Sequence, residues 1–163
     1  MKRILVISDT HLSKFDDLPD ALIDIAKNSD LIIHAGDICN LDVLEGLRKI
    51  KDVIAVQGNM DDSSIRGILP LSENFEIDGA KFGLTHGYGS PGSVPDNIVN
   101  SFGDVDVLIF GHSHLPFNEK RNSCRLFNPG SATDPRSAII PTYGIIEVDN
   151  GAVKLFINEL NDD

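Results

Sequence analysis

Cysteine is scarce in this chain: 163 residues contain two, Cys39 and Cys124, far apart and in no Cys-x-x-Cys arrangement. That excludes a disulfide framework and a zinc ribbon, and fits a reducing compartment. Long apolar runs are missing as well. No stretch approaches the roughly 20 apolar residues that cross a bilayer, and the run after Met1-Lys2-Arg3 stops at Ile7, too short for a signal peptide. The expectation is a cytoplasmic protein with no membrane association. Positive charge is in deficit, with 14 basic residues against 25 acidic ones and a net charge of -11. Stable nucleic-acid binding needs a cationic surface to displace counterions, so it is not expected. Repeats, low-complexity segments and linkers are also absent, and a hydrophobic fraction of 41% supports a real core; residues 1–163 therefore read as one domain. The acidic end, residues 158–163, reads as a tail that frays in solvent.

Short apolar, β-branched runs are present at 4–7, 31–33, 53–56, 81–85 and 105–110, each of strand length and without helical period. Amphipathic stretches at 18–27 and 41–50 separate the first three, with Leu18, Leu22, Ile25 and Ala26 spaced to cover one helix face. The start is thus β-α-β-α-β. Further strands at 75–77, 124–127, 142–148 and 152–157, with tight turns at Asp78-Gly79 and Asn150-Gly151, make the second half richer in hairpins and the sheets mixed.

The informative regularity lies immediately past the first five strands. Each is succeeded by glycine or a polar residue and then by a metal-ligand type: Ser8-Asp9-Thr10-His11, Ala35-Gly36-Asp37, Gln57-Gly58-Asn59-Met60-Asp61, Thr85-His86-Gly87 and Gly111-His112-Ser113-His114. In open α/β sheets the functional crevice lies at the carboxyl ends of parallel strands, so these clusters are expected to converge. Asp9 and His11, like His112 and His114, are two apart, and in extended backbone such residues point to the same side. Two divalent ions that hydrolyse a phosphate ester stand about 3.5–4 Å apart on a bridging ligand, a role suited to aspartate. A mixed carboxylate and imidazole set suits Mn, Fe, Zn, Ni or Co better than Mg or Ca. Two such ions with two aspartates and a hydroxide leave a net positive pocket, so even an acidic chain can bind an anionic phosphate there. Glycines 36, 58, 87 and 111 let backbone turn sharply or approach closely.

Taken singly, these residues have plain explanations: Asp9 or Asp37 as a helix N-cap, Asn59 as a turn residue. Four of the five histidines falling in such clusters argues for the joint reading. The fifth, His34, sits inside a strand and reads as structural. Cys39 reads as a buried thiol, and Arg136 as half of a surface ion pair.

Together the motifs resemble the calcineurin-like metallophosphoesterases, and within them the small single-domain archaeal and bacterial phosphodiesterases. Asp9-x-His11, Gly36-Asp37, Gly58-Asn59-x-Asp61, His86-Gly87 and Gly111-His112-x-His114 stand in that family's order over nearly the whole chain, followed by Asn128-Pro129-Gly130-Ser131. The resemblance implies an α/β fold, an α/β/β/α sandwich of two mixed sheets flanked by helices. It implies a first metal on Asp9, His11, Asp37 and His114 and a second on Asp37, Asn59, His86 and His112, with Asp37 bridging. Mn is favoured over Ni, Fe, Zn and Co. A hydroxide bridging the metals would attack phosphorus, Asp37, Asn59 and His86 being catalytic and Thr10, Met60 and Ser113 touching substrate. Many members have a histidine where Met60 stands; methionine carries no proton, which points to small phosphodiesters with good leaving groups. Tyr88 stands where close relatives often have histidine, and Asp61 lacks its usual histidine partner. A homodimer or homotetramer is the expected assembly, and a non-catalytic protein-interaction scaffold of the same fold is the alternative.

Overall fold

The computed structural model describes residues 1–161 and carries ten strands and four α-helices in them. In chain order these are β1 (Lys2–Ile7), α1 (Asp20–Lys27), β2 (Leu31–His34), α2 (Leu41–Ile50), β3 (Val53–Ala55), α3 (Ser63–Arg66), β4 (Ser72–Ile77), β5 (Ala80–Thr85), α4 (Val94–Ile98), β6 (Val107–Ile109), β7 (Pro116–Arg121), β8 (Cys124–Pro129), β9 (Thr142–Asp149) and β10 (Ala152–Glu159). One sheet has the order β10-β9-β1-β2-β3 and the other β4-β5-β6-β8-β7. In the first, β1, β2 and β3 are parallel, β9 pairs antiparallel with β1, and β10 pairs antiparallel with β9. The second repeats the plan, with β5, β6 and β8 parallel and β4 and β7 antiparallel at its edges. The sheets are mixed, as expected.

The apolar runs lack alternation because their strands are covered on both faces. Along β1, Ile4 and Val6 join Ile33, Phe82, Leu84, Ile109, Phe127 and Ile146 in the layer between the sheets. Leu5 and Ile7 point the other way, into a core with Leu22 and Ala26 of α1 and Val43, Leu44 and Leu47 of α2. On the far side Val94 and Ile98 of α4 cover Leu108, Phe110 and Leu126. The layers are therefore helix, sheet, sheet, helix. Asn40 caps α2, its side chain accepting from the Asp42 N–H at 3.0 Å.

Three elements escape the sequence pattern. β7, Phe117-Asn118-Glu119-Lys120-Arg121 after Pro116, is an edge strand largely facing solvent, so it needs neither apolar alternation nor an N–H at its first residue. α3 and α4 are too short for a helical period to show. The expected fraying tail is corrected: residues 158 and 159 are in β10, paired with Tyr143 and Thr142, and Leu160 is buried, because β9 supplies a partner for the whole strand. Asp162 and Asp163 lie outside the described residues. No helix among the described residues is long and apolar enough to cross a membrane.

Candidate metal centre

All five polar clusters meet at the carboxyl ends of the parallel strands. Asp9 and His11 follow β1, Asp37 follows β2, Asn59 follows β3, His86 follows β5, and His112 and His114 follow β6. His11 Nε2 lies 3.5 Å from Asp37 Oδ2, 3.9 Å from Asp9 Oδ1 and 3.2 Å from His114 Nε2, and His114 Nε2 lies 3.4 Å from Asp9 Oδ1. Beside this group, His86 Nε2 is 3.3 Å from Asp37 Oδ2 and 3.0 Å from Asn59 Oδ1, which is also 3.1 Å from His112 Nδ1. Asp37 Oδ2 thus faces histidines of both halves.

The second polar atom of each ligand type is fastened to the scaffold. Asp9 Oδ2 accepts from Ser8 Oγ at 2.6 Å and from the His112 N–H at 3.0 Å, and Asp37 Oδ1 accepts from the Met60 N–H at 2.7 Å. His86 Nδ1 meets the Ala35 carbonyl at 2.7 Å, His114 Nδ1 the Asp134 carbonyl at 2.5 Å, and His112 Nε2 the Gly89 carbonyl at 2.8 Å. A carbonyl only accepts, so each of these nitrogens carries the proton, and in the neutral ring the other nitrogen offers a bare lone pair to the centre. His11 Nδ1 lies 3.4 Å from Cys39 Sγ, two residues past Asp37.

With the rings neutral, acceptors face acceptors, an arrangement satisfied either by a proton, as in the His86–Asp37 hydrogen bond, or by a metal cation. Asp9 Oδ1 makes the case most sharply. It is a buried oxygen without a hydrogen-bond partner, the only such side-chain atom among the described residues. Burial holds the Asp9 carboxyl above the usual carboxylate range, although His86, Ser8 and His114 favour its charge. Burial pushes Asp37 the same way, but the hydrogen bond and charge of His86 and the Met60 N–H outweigh it and hold that carboxyl below its ordinary value. Burial likewise pulls His86 down, yet Asp37 and Asp9 prevail and hold it above the ordinary histidine value, while burial leaves His11 lowered. The donor atoms of Asp9, His11 and His114, and those of Asp9, Asp37 and His86, lie within 4.8 Å of one another. Oxygen and imidazole donors so disposed fit divalent ions of the Mn-to-Zn type.

The backbone corrects one step of the sequence argument. Asp9, His11, His112 and His114 are not extended; their φ angles are 54°, 50°, 67° and 58°, with Asp37 at 55° and Cys39 at 77°. Aspartate and histidine tolerate this left-handed region better than most residues, and each such position costs about 1–3 kcal/mol of strain. Cross-ties hold it: Asp9 N–H to Gly36 O at 3.0 Å, His11 N–H to Asp37 O at 3.1 Å, and Ser131 Oγ to Asp9 O at 2.8 Å. At Gly111 a Cβ would strike Ser8 Oγ and Asp9 Oδ2, so glycine is required for the β6 loop to reach Asp9.

The remaining sequence candidates occupy different places. Thr10 is buried, with Oγ1 3.1 Å from His34 Nε2, and Ser113 is buried against Asn128 Nδ2 at 3.0 Å, so both hydroxyls are engaged in the scaffold. Met60 is exposed. His34 is fully buried; its Nδ1 accepts from the Gly36 N–H at 3.2 Å, and burial lowers it to about 3, so it stays neutral as a structural residue. Cys39 is half-buried and pushed up to about 12 by burial and by Asp37, hence a thiol. Asp61 ties the loops after β2 and β3 by accepting from the Cys39 and Gly58 N–H groups, each at 2.6 Å. Arg136 pairs with Asp134 at 3.1 Å. Ser8 and Asn128 are supports that sequence reasoning missed: Ser8 Oγ holds the carboxylate next to it in the chain, and Asn128 Nδ2 donates to Gly111 O and Ser113 Oγ of a loop distant in sequence.

Comparison with known proteins bears on the same residues. A protein of Methanocaldococcus jannaschii named a probable metallophosphoesterase is 42% identical over 135 residues, covering 80% of this chain and 68% of its own. A second from that organism, named a phosphodiesterase, is 31% identical over 163 residues, covering 90% and 93%. Vps29 of Chaetomium thermophilum superposes with a TM-score of 0.78 at 22% identity, over 98% of this chain and 97% of its own, a likeness of fold. The family described as the calcineurin-like phosphoesterase superfamily domain matches residues 1–151 and so takes in every ligand type of the centre. By fold, by sequence and by the chemistry gathered at its strand ends, the chain belongs to the calcineurin-like phosphoesterase superfamily.

Proposed function

We propose that the chain hydrolyses small phosphodiesters at a centre of two divalent metal ions, manganese being favoured. Membership of the superfamily, and similarity to a protein named a phosphodiesterase, support phosphoester hydrolysis. One half of the centre is assigned to Asp9, His11, Asp37 and His114 and the other to Asp37, Asn59, His86 and His112, with Asp37 shared. The observation that carries this reading is the unpartnered, buried Asp9 Oδ1 facing bare imidazole nitrogens. Ions held there supply the acidity that ionises a water nucleophile and the charge that neutralises phosphoryl oxygens.

The chain's own residues do the positioning. The carbonyls of Ala35, Gly89 and Asp134 fix three imidazole tautomers, and Ser8 and Met60 N–H fix two carboxylates, so the donor set is preorganised for cations. Met60, after Asn59, has no proton to give a departing alkoxide, which favours diesters whose leaving group is stable as an anion. We place the chain in the cytoplasm as one domain with no stable nucleic-acid partner.

The test is hydrolysis of bis(p-nitrophenyl) phosphate by metal-stripped protein on adding Mn or Ni. Turnover should appear with metal, and Asp37→Ala should lower it by at least about 100-fold, beyond what supporting residues cost. No turnover with any divalent ion would favour a scaffold role; turnover retained in Asp37→Ala would remove Asp37 from the bridge.

A further inference from the structure

Beside the second half of the centre lies a cavity of about 320 Å³ lined by Asn59, His86, Leu71 and Tyr88 together with Gly58 and Gly87. Its volume is at the lower end of the roughly 300–1,000 Å³ of small-molecule sites, room for one ring system beside a phosphate. Its walls are apolar where they leave the ligands. Leu71 is 73% exposed and Tyr88 61% exposed, two of the eight large hydrophobic residues exposed among the described residues. Large apolar side chains left in water around one opening are a mark of a binding surface.

Both walls are built rather than loose. Gln57 holds the segment before Leu71 twice, its N–H donating to Pro70 O at 2.9 Å and its side-chain Nε2 to Leu69 O at 2.7 Å. Tyr88 is clamped at both ends by Asn97, the phenol donating to Asn97 O at 3.2 Å and Asn97 Nδ2 donating to Tyr88 O at 2.9 Å. The carbonyl of the next residue, Gly89, accepts a hydrogen bond from His112 Nε2, so the loop that sets the tyrosine also sets a ligand of the centre. With its hydroxyl turned to the protein, the tyrosine offers ring surface, and an aromatic face stacks best on another flat ring.

We propose that this cavity is the subsite for one ester group of the substrate and that it selects a planar aromatic group, an aryl ring or a nucleobase, over a small alkyl one. The assignment rests on the phosphodiester reading above. Leu71 and Tyr88 are specificity residues: they touch the ester group and leave the phosphate to the ions.

The experiment compares two ligands that cannot be hydrolysed at their P–C bond, phenylphosphonate and methylphosphonate, by calorimetric titration of the manganese-loaded protein. Phenylphosphonate should bind about tenfold more tightly, and Tyr88→Ala and Leu71→Ser should each bring the ratio of the two affinities towards one. Proton NMR should show phenylphosphonate shifting the Leu71 methyl and Tyr88 ring signals. Adenosine 5′-monophosphate as a third ligand separates the sources: affinity above phenylphosphonate assigns the subsite to a nucleobase, and affinity below it to an aryl ester. Equal binding of the two phosphonates, or a preference that survives both substitutions, overturns the subsite alone. If neither phosphonate binds the metal-loaded protein, the phosphoester reading itself fails and takes the subsite with it.

Discussion

Replacing Asp9 by Asn should reverse its effect on stability according to whether metal is present. The asparagine is nearly isosteric: its Oδ1 can accept from Ser8 Oγ and the His112 N–H as the aspartate does, and its Nδ2 can donate to His114 Nε2, now 3.4 Å from an oxygen. Because burial raises the Asp9 pKa, the sign is determined: the folded chain favours the neutral carboxyl, and the stability this contributes is lost as pH rises through the folded value. Removing an unpaired buried charge should therefore stabilise the metal-free protein by about 1–3 kcal/mol. At about 2–4 °C per kcal/mol for a chain of this size, Tm should rise by about 2–12 °C in a chelating buffer. With manganese at about 100 times Kd the wild-type protein gains about 2.7 kcal/mol, roughly 5–11 °C, and the variant loses most of that gain. Differential scanning calorimetry with chelator and with Mn reads both arms. A lower Tm for Asp9→Asn without metal, or an equal metal-induced shift in the two proteins, would refute the view that Asp9 Oδ1 is held waiting for a cation.

Two further outcomes rest on the same geometry. His86 is held above the ordinary histidine pKa by its carboxylate neighbours, so its contribution to the stability of the metal-free fold is present below about pH 6.5 and lost as pH rises through the folded value. Metal must displace that proton, so Mn affinity should climb as pH rises past about 6.5, with proton release, read by titration calorimetry in two buffers of different ionisation enthalpy; pH-independent affinity would contradict the assignment of His86. Met60 is exposed beside Asn59, and Met60→His should raise the ratio of p-nitrophenyl phosphate to bis(p-nitrophenyl) phosphate turnover by about tenfold or more, within reach of a positioned general acid; an unchanged ratio would remove the reason for preferring diesters.

The ligand types, their order along the chain and their place after strands were all legible in the sequence, because a strand buried on both faces is an uninterrupted apolar run and its end is marked where polar residues begin. His34 was separable from the other histidines for the same reason, lying within such a run. The helices α1 and α2 were readable from their apolar stripes, whereas β7, α3 and α4 carry too little burial or length to leave a period. Tertiary structure alone decided what each ligand atom faces. The pairing of Asp9 with His112 and of His11 with Cys39 joins loops, and that of Tyr88 with Asn97 joins a loop to α4, through contacts that no local spacing encodes. The left-handed backbone at five of the seven candidate ligand positions is likewise a decision of the whole fold. A short segment does not hold such angles by itself; it keeps them here because hydrogen bonds from neighbouring strand ends over-determine them. Residue type and order are local properties that a chain carries in any conformation, but strain and an unpaired buried oxygen exist only once distant segments have closed around them.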